Sequence, residues 1–467
     1  MTAQSQQQPK PPKRHLSIGF TVALLAKSVP QAAKTLVHGP QRSNRTRRVD
    51  AFVRFFRAAS QQRGMSVWRA RTMLNRLNLL GRGAMVPLLK GCRFEAATWS
   101  AALVGSSSHD AVQEGDSVSF SSSLTSTYKL ELNAPWNVQA EWIHPEAGQS
   151  DKVILFFHGG AYVFGDLAMY RPFLAPLAKQ LGTSIFNVDY RLSPEATFPS
   201  ALHDAVSAFL YLTTVKGIHP RKIVFAGDSA GGNLAIVTLL FLANHGMQLP
   251  GGCVLLSPWS DLCHDLPSYA ANAAFDYIPG SFDSLAMNPV RMYIGADEYL
   301  EPARTEQYIS PIAYRGNGGQ DDATTAVAPL PPIYICTGSD ESLLDENILL
   351  AATLASFGGG KVIHHVFHEQ IHVFPFLAPE SADTACFRDQ LLTFVDGVGA
   401  EDAPASLKAG AVEAVVFTNG VETGRGVDSA WGEQWAGIMQ TKGLPWTLEQ
   451  YKAPSAAVAA APVAVDP

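Results

Sequence analysis

Cysteine is scarce and scattered in this chain. Cys92, Cys253, Cys263, Cys336 and Cys386 make an odd count, with no Cys-x-x-Cys pair. That speaks against a disulfide scaffold or a zinc–thiolate site and favours a reducing, intracellular setting, cytoplasmic or peripheral to a membrane. Long apolar runs are missing as well. The best candidate, "LSIGFTVALLA" (16–26), stops at Lys27, with Pro30 beyond it; a bilayer span needs roughly 20 apolar residues. The segment reads as a helix lying in a membrane interface or buried in the protein, with a signal-like or transit-like segment as the alternative. Acidic side chains are nearly absent from residues 1–100, where 18 Lys and Arg face only Asp50 and Glu95. The remainder carries 17 basic and 39 acidic residues. Such asymmetry suits an N-terminal surface that meets an anionic partner such as a membrane face; equally, it suits arginines solvating short helices on an acidic body. A nucleic-acid partner is not expected, and oligomeric state is not legible. Hydrophobic residues at 47% against 16% charged exclude a wholly disordered chain.

Residues 1–15 are rich in Gln, Pro and Lys and read as a disordered basic start. Residues 16–127 read as a helical extension or cap region. Within it, Val49, Phe52, Val53 and Phe56 recur at helical spacing, and Val67, Ala70, Leu74 and Leu77 share the face of a second helix that starts near Ser66. The Ser-rich stretch 105–126 reads as loop with weak strand content. From 128 to 400 short apolar runs alternate with helical windows: "VILFFHGG", "TSIFNVDYRL", "KIVFAGDSAGG", "CVLLSPW", "PPIYICTGSD" and "KVIHHVFHE". That alternation argues for an α/β fold, a mostly parallel sheet covered by helices on both faces. Residues 262–328 interrupt it, rich in Pro, Gly and Asp, and read as an insertion able to cover the sheet's C-terminal edge. Residues 401–467 are Ala/Gly/Pro-rich and read as a low-complexity, largely disordered tail.

"GDSAG" (227–231) is the only Gly-x-Ser-x-Gly in the chain, and it lies between a β-run and a helix. A serine at so sharp a turn is strained, and its neighbours two residues away must lack side chains. Ser229 is therefore the candidate nucleophile. "FFHGGAYVFGD" (156–166) places two glycines after a strand. The N–H groups of Gly159 and Gly160, with that of Ala230 at the following helix's start, are the candidate oxyanion donors. A serine needs a base, and the base an orienting carboxylate, in the chain order serine, acid, histidine. "YICTGSDESLLDE" (334–346) offers Asp340, Glu341 and Asp345, and His372 follows the next strand.

"HEQIH" (368–372) also matches the His-Glu-x-x-His zinc signature, which requires a helix to bring both imidazoles to one face. The preceding "KVIHHVF" alternates like a strand, and Pro375 would break the required helix. His364, His365 and His368 are accordingly read as structural or exposed, and His158 as orienting its own glycine turn.

Taken together, "HGGAYVFGD", "DYRLSPEATFPSALHD", "GDSAGGNLA", "SPWSDL", "SPIAY", "LPPIYICTGSDESLLDE" and "IHVF" resemble the hormone-sensitive-lipase-like esterases of the α/β-hydrolase fold, over about 130–397. The resemblance implies a cofactor-free serine carboxylester hydrolase acting on a small-molecule ester, with a cap built from the N-terminal helices and the 262–328 insertion. "AEWIHP" and the basic N-terminus resemble fungal members, among them sterol-acetate deacetylases. Two departures stand out. Ala161 replaces the third glycine of the family's His-Gly-Gly-Gly, and alignment on Leu343 and Asp345 puts Glu341 at the family's acid position, with Asp340 as the alternative. The resemblance gives Asp189, Arg191, Glu195, Asp228 and Trp259 structural roles. An amide, formamide or lactone is the alternative substrate of the same residues, and a catalytically silent receptor of the same fold is the rival from another class.

Overall fold

The computed structural model describes residues 18–60, 66–104, 117–121, 136–148, 150–280, 282, 287–314, 329–357, 360–399 and 412–425. The expected disordered start, 1–15, lies outside them. Three helices lead: α1 (Ile18–His38), α2 (Arg47–Ser60) and α3 (Val67–Leu89). α1 runs on through Pro30. The helical spacing read in α2 puts Val49 and Val53 in the interior. Ser66 caps α3 by accepting from the Arg69 N–H, one of the donors a helix start leaves unpaired. Among the described residues no helix is long and apolar enough to cross a membrane.

Among the described residues eleven strands follow: β1 (Cys92–Val104), β2 (Ser117–Ser121), β3 (Trp136–Pro145), β4 (Val153–Phe157), β5 (Ser184–Asp189), β6 (Ile223–Asp228), β7 (Gly252–Leu256), β8 (Ile333–Gly338), β9 (Val362–Phe367), β10 (Val412–Thr418) and β11 (Val421–Arg425). They form one sheet in the order β2-β1-β3-β5-β4-β6-β7-β8-β9-β10-β11. Every pairing from β5 to β10 is parallel; β3 lies antiparallel to both β1 and β5. Successive side chains of β4 enter opposite cores. Val153, Leu155 and Phe157 face one, Ile154 and Phe156 the other, which is why a strand buried on both sides reads as an unbroken apolar run.

The helices packed between and around the strands are α4 (Leu167–Leu181), α5 (Ser200–Leu210), α6 (Ala230–Asn244), the short α7 (Pro267–Ala271), α8 (Pro289–Ile294) and α9 (Leu300–Thr305), then α10 (Leu344–Ser356), α11 (Phe374–Leu377) and α12 (Ala382–Gly397). α5, α6 and α10 cover the first core, and α4 and α12 the second. α7 to α9 belong to the expected insertion, whose residues 315–328 lie outside the described residues.

Two boundaries read from the sequence need correction. The sheet begins at Cys92, inside the stretch expected to be a helical extension. β1 buries Ala97, Trp99 and Ala101 in strict alternation and pairs Trp99 with Val138; alanine carries little strand signal, so Trp99 alone marked the period. The tail expected to be disordered from 401 contains β10 and β11. β10 buries Val415 and Phe417 and extends the parallel sheet beside β9. Asn419 and Gly420, both at positive φ, turn the chain into β11, the residue types such a hairpin demands. The Ala/Gly/Pro average of the whole tail hid this short window.

Candidate active site

The nucleophile turn is built by close approach. Ser229 stands between β6 and α6 at φ 52°, ψ −120°, a sparsely populated conformation that costs a residue with a side chain on the order of 1–3 kcal/mol. A Cβ on Gly227 would lie 2.2 Å from Gly231 O, and one on Gly231 would lie 2.0 Å from Phe157 O. The Ser229 N–H donates to Leu256 O, and its carbonyl accepts from the N–H groups of Asn233 and Trp259, each at 2.9 Å. The backbone around the strained serine is thus tied to the chain just past β7.

The loops after β8 and β9 are laced together. Asp340 N–H donates to Gln370 O and Ser339 N–H to Phe367 O, both at 2.9 Å, and Glu369 N–H donates to Ser339 Oγ at 2.8 Å. This brings Glu341 Oε2 within 3.5 Å of His372 Nδ1, with both side chains buried. Asp340 turns the other way, where its Oδ2 accepts from Arg42 Nε and Arg45 Nη2, both at 2.8 Å. Asp345 accepts from the Ser268 N–H at 2.7 Å. Of the three carboxylates in this stretch, Glu341 is the one beside the imidazole.

Ser257 joins the pieces from the end of β7. Its hydroxyl accepts from the Val373 N–H at 3.1 Å and hydrogen-bonds Glu341. Burial pushes the Glu341 carboxyl up to about 8, against the opposing pull of Ser257 and of the Gly338 backbone. Burial also pushes the His372 imidazole below its ordinary value, while the charges of Asp276 and Asp228 pull it back up. Both shifts have one cause: a low-dielectric site disfavours either charge alone.

The glycine turn after β4 corrects one expectation. Gly159 N–H already donates to Asp228 Oδ1 at 2.9 Å and to Tyr170 Oη at 2.8 Å, and Tyr170 closes the triangle by donating to Asp228 Oδ2 at 2.9 Å. Asp228 therefore anchors the nucleophile turn to the glycine turn and occupies the donor expected for an oxyanion. Gly160, Ala161 and Tyr162 follow at φ 117°, 54° and 60°, a left-handed run that lifts the next amides. Among the described residues, the N–H groups of Gly160, Ala161 and Ala230 donate no hydrogen bond within the protein. Ala161 tolerates at some strain the conformation a glycine would adopt freely. His158 orients this turn, its Nδ1 lying 2.8 Å from Gly159 O. Its ring stacks on Tyr190, and burial drives it down to about 4, so it stays neutral.

The remaining residues singled out in the sequence are spread around this centre. Arg191 forks onto Asp204, Glu195 pairs with Arg71, and burial with the charge of Asp166 lifts Asp189 to about 6. Trp259 is buried, with its ring near Tyr162. His364 meets Thr337 Oγ1 at 2.8 Å, and His365 meets Tyr334 Oη at 3.1 Å. Residues 368–369 and 372–373 form turns, with Glu369 and Val373 at positive φ. The helix that would place His368 and His372 on one face is therefore not formed, and His368 is exposed.

Sequence reasoning missed Asp276. It is buried, accepts from the N–H groups of Ser342 (2.8 Å), Tyr277 (2.8 Å) and His372 (3.4 Å), and is lifted to about 6 by burial. Tyr277 meets His372 edge-on and in turn meets Phe52 and Phe56 of α2. Neither residue sits in a periodic segment, so no local pattern could reveal them. The only cue was the Asp and aromatic content of the insertion.

The description "alpha/beta hydrolase fold" fits residues 154–376 in a comparison with family models. An acetyl-hydrolase of Streptomyces hygroscopicus is 31% identical over 242 residues, which cover 50% of this chain and 74% of that protein. Human hormone-sensitive lipase is 34% identical over 155 residues, covering 32% of this chain and 14% of the lipase. A solved esterase of the bacterial hormone-sensitive lipase family superposes with a TM-score of 0.55 at 24% identity, covering 75% of this chain and 98% of that one; at that identity the likeness speaks for the fold. The chain belongs to the hormone-sensitive-lipase-like family of α/β hydrolases. The class of enzyme that fold and relatives define is a carboxylic ester hydrolase.

Proposed function

We propose that this esterase works through Ser229 as nucleophile, His372 as general base and Glu341 as the carboxylate that orients the imidazole. The observation that carries the reading is the 3.5 Å approach of Glu341 Oε2 to His372 Nδ1, on loops that share one sheet edge with the strained Ser229 turn. In the acylation step His372 Nε2 takes the hydroxyl proton as Ser229 Oγ bonds to the ester carbonyl carbon. The carbonyl oxygen becomes an oxyanion facing the N–H groups of Gly160, Ala161 and Ala230. Each such donor lowers the barrier by roughly 3–4 kcal/mol, and Ala230 adds the positive end of α6. The tetrahedral species collapses, the carbon–alkoxide bond breaks, and the alcohol leaves with the proton from His372. Water repeats the sequence on the acyl-enzyme, releasing the acid and restoring the serine. In the active form Glu341 is ionised and steadies the imidazolium in both halves.

For substrate we propose a short acyl ester, an acetate first, of a hydrophobic alcohol. The acetyl-hydrolase relative supports the acyl part. Tyr277 beside His372, with the half-buried Phe52 and Phe56 packed against it, supplies an apolar wall that a bulky alcohol such as a sterol would fit. In an assay on p-nitrophenyl acetate, Ser229→Ala is expected to lose on the order of 10⁴- to 10⁶-fold in kcat. An ester panel should show rates falling as the acyl chain lengthens, with an acetylated sterol accepted. Full activity in Ser229→Ala would overturn the mechanism, and a preference for long acyl chains would overturn the substrate class.

A further inference from the structure

Arg45 lies in the loop between α1 and α2, yet its guanidinium is completely buried. Its three donor positions reach three different loops. Nη2 donates to Asp340 Oδ2 at 2.8 Å, Nε to Glu369 O at 2.7 Å, and Nη1 to Phe275 O at 2.7 Å. Those acceptors are the immediate neighbours of the site: Asp340 precedes Glu341, Glu369 lies three residues before His372, and Phe275 precedes Asp276. The surrounding chain reinforces the same grip. Arg42 adds a second contact to Asp340 and lies over the Phe275 ring at 3.8 Å. Asn44 accepts from Gln370 Nε2 at 3.1 Å and donates its side-chain amide to His368 O at 2.9 Å. Ser43 and the Asn44 N–H both donate to the Glu369 carboxylate, at 2.9 and 2.8 Å.

We infer that Arg45 is a positioning residue for ester hydrolysis: the loop 42–45 is a strap whose buried guanidinium fixes the spacing between the acid loop, the histidine loop and the insertion. A simple surface ion pair would not need this geometry. A guanidinium is rigid and planar, so three bonds in fixed directions set the relative position of all three acceptors, which an ammonium cannot do. Glu341 and His372 stand 3.5 Å apart, and a shift of ~1 Å at a reacting centre costs on the order of a hundredfold in rate. The basic residues of the first hundred thus include one that completes the site from 324 positions away.

This inference rests on the serine-hydrolase reading, so the wild-type chain and Ser229→Ala are assayed first. A wild type that is inactive on this ester yet labelled at Ser229 by a fluorophosphonate would defeat the substrate class alone and leave the strap to the labelling test below. One that is not labelled at all would defeat the serine-hydrolase reading and the strap with it. Arg45→Met and Arg45→Lys are compared with Arg54→Met, which breaks a pair within α2 to Asp50 and serves as a control for lost stability. We expect kcat on p-nitrophenyl acetate to fall about 10- to 100-fold in both Arg45 variants, with KM changed less than threefold. Arg54→Met should lose far less kcat at a comparable drop in Tm. Guanidinium ion at millimolar concentration should restore part of the loss in Arg45→Met and none in Arg54→Met. The rate of labelling by a fluorophosphonate should follow the same order without any substrate. Arg45→Met retaining kcat and labelling rate within twofold would overturn the inference. So would losses in Arg45→Met and Arg54→Met that simply track their Tm. If Arg45→Met does not fold, Arg45→Lys decides by the same criteria.

Discussion

Two regions of this molecule meet at the site and are built in opposite ways. The body from β4 to β9 positions its residues locally. A strand ends, a glycine permits a sharp turn, and a functional side chain stands at the sheet edge, as at Gly227–Ser229–Gly231. The strap at 42–45 and the insertion around Phe275–Tyr277 work by contact at a distance. Arg45 and Asp276 act on loops about a hundred to three hundred positions away through buried hydrogen bonds. Local construction leaves a motif in the sequence. Construction at a distance leaves isolated residues, here an arginine among many arginines and an aspartate in an aperiodic stretch.

The neighbours Asp340 and Glu341 carry this difference within a single turn, since one serves the strap and the other the imidazole. Glu341→Gln removes the orienting carboxylate and is expected to lower kcat on the order of 10³- to 10⁴-fold. Asp340→Asn loosens the strap but leaves every group that touches the ring, so its loss should stay within about a hundredfold. Steady-state kinetics on both variants measures the separation, and equal losses would erase the distinction drawn between the two carboxylates.

A gentler probe is the pH profile. Activity needs Glu341 ionised and His372 neutral, so any proton beyond that state inactivates the pair. The Glu341 carboxyl is pushed up to about 8 and the His372 imidazole below its ordinary value. The pair therefore gives up its last inhibitory proton only as pH rises towards about 8, as one coupled titration. We expect kcat/KM to climb roughly tenfold between pH 6.5 and 8.5, and Glu341→Gln to flatten that climb. A profile already level at pH 6 would contradict the buried, coupled pair.

Much of the body was legible. The strand–turn–helix around Ser229 and the placing of the 340–345 carboxylates and His372 past later strands followed from strand ends and turn chemistry, whereas the choice of Glu341 among those carboxylates came only from the family resemblance. What escaped did so for physical reasons. β1 buries alanines, which carry weak strand preference. β10 and β11 are a short alternating window inside a tail whose average composition reads as disordered. Gly159 looked like an oxyanion donor because glycine after a strand frees its amide, and only the three-dimensional approach of Asp228 and Tyr170 shows that amide engaged. The excess of positive charge at the N-terminus was visible, but not that one of its members is buried against three loops.

The central claim is tested most directly by treating the intact protein with a fluorophosphonate and locating the adduct by peptide mass spectrometry. The account predicts a single phosphonylated residue, Ser229, formed quickly in the wild type and at least a hundredfold more slowly after His372→Ala. An adduct on a different residue, or labelling of Ser229 at the same rate without His372, would contradict it.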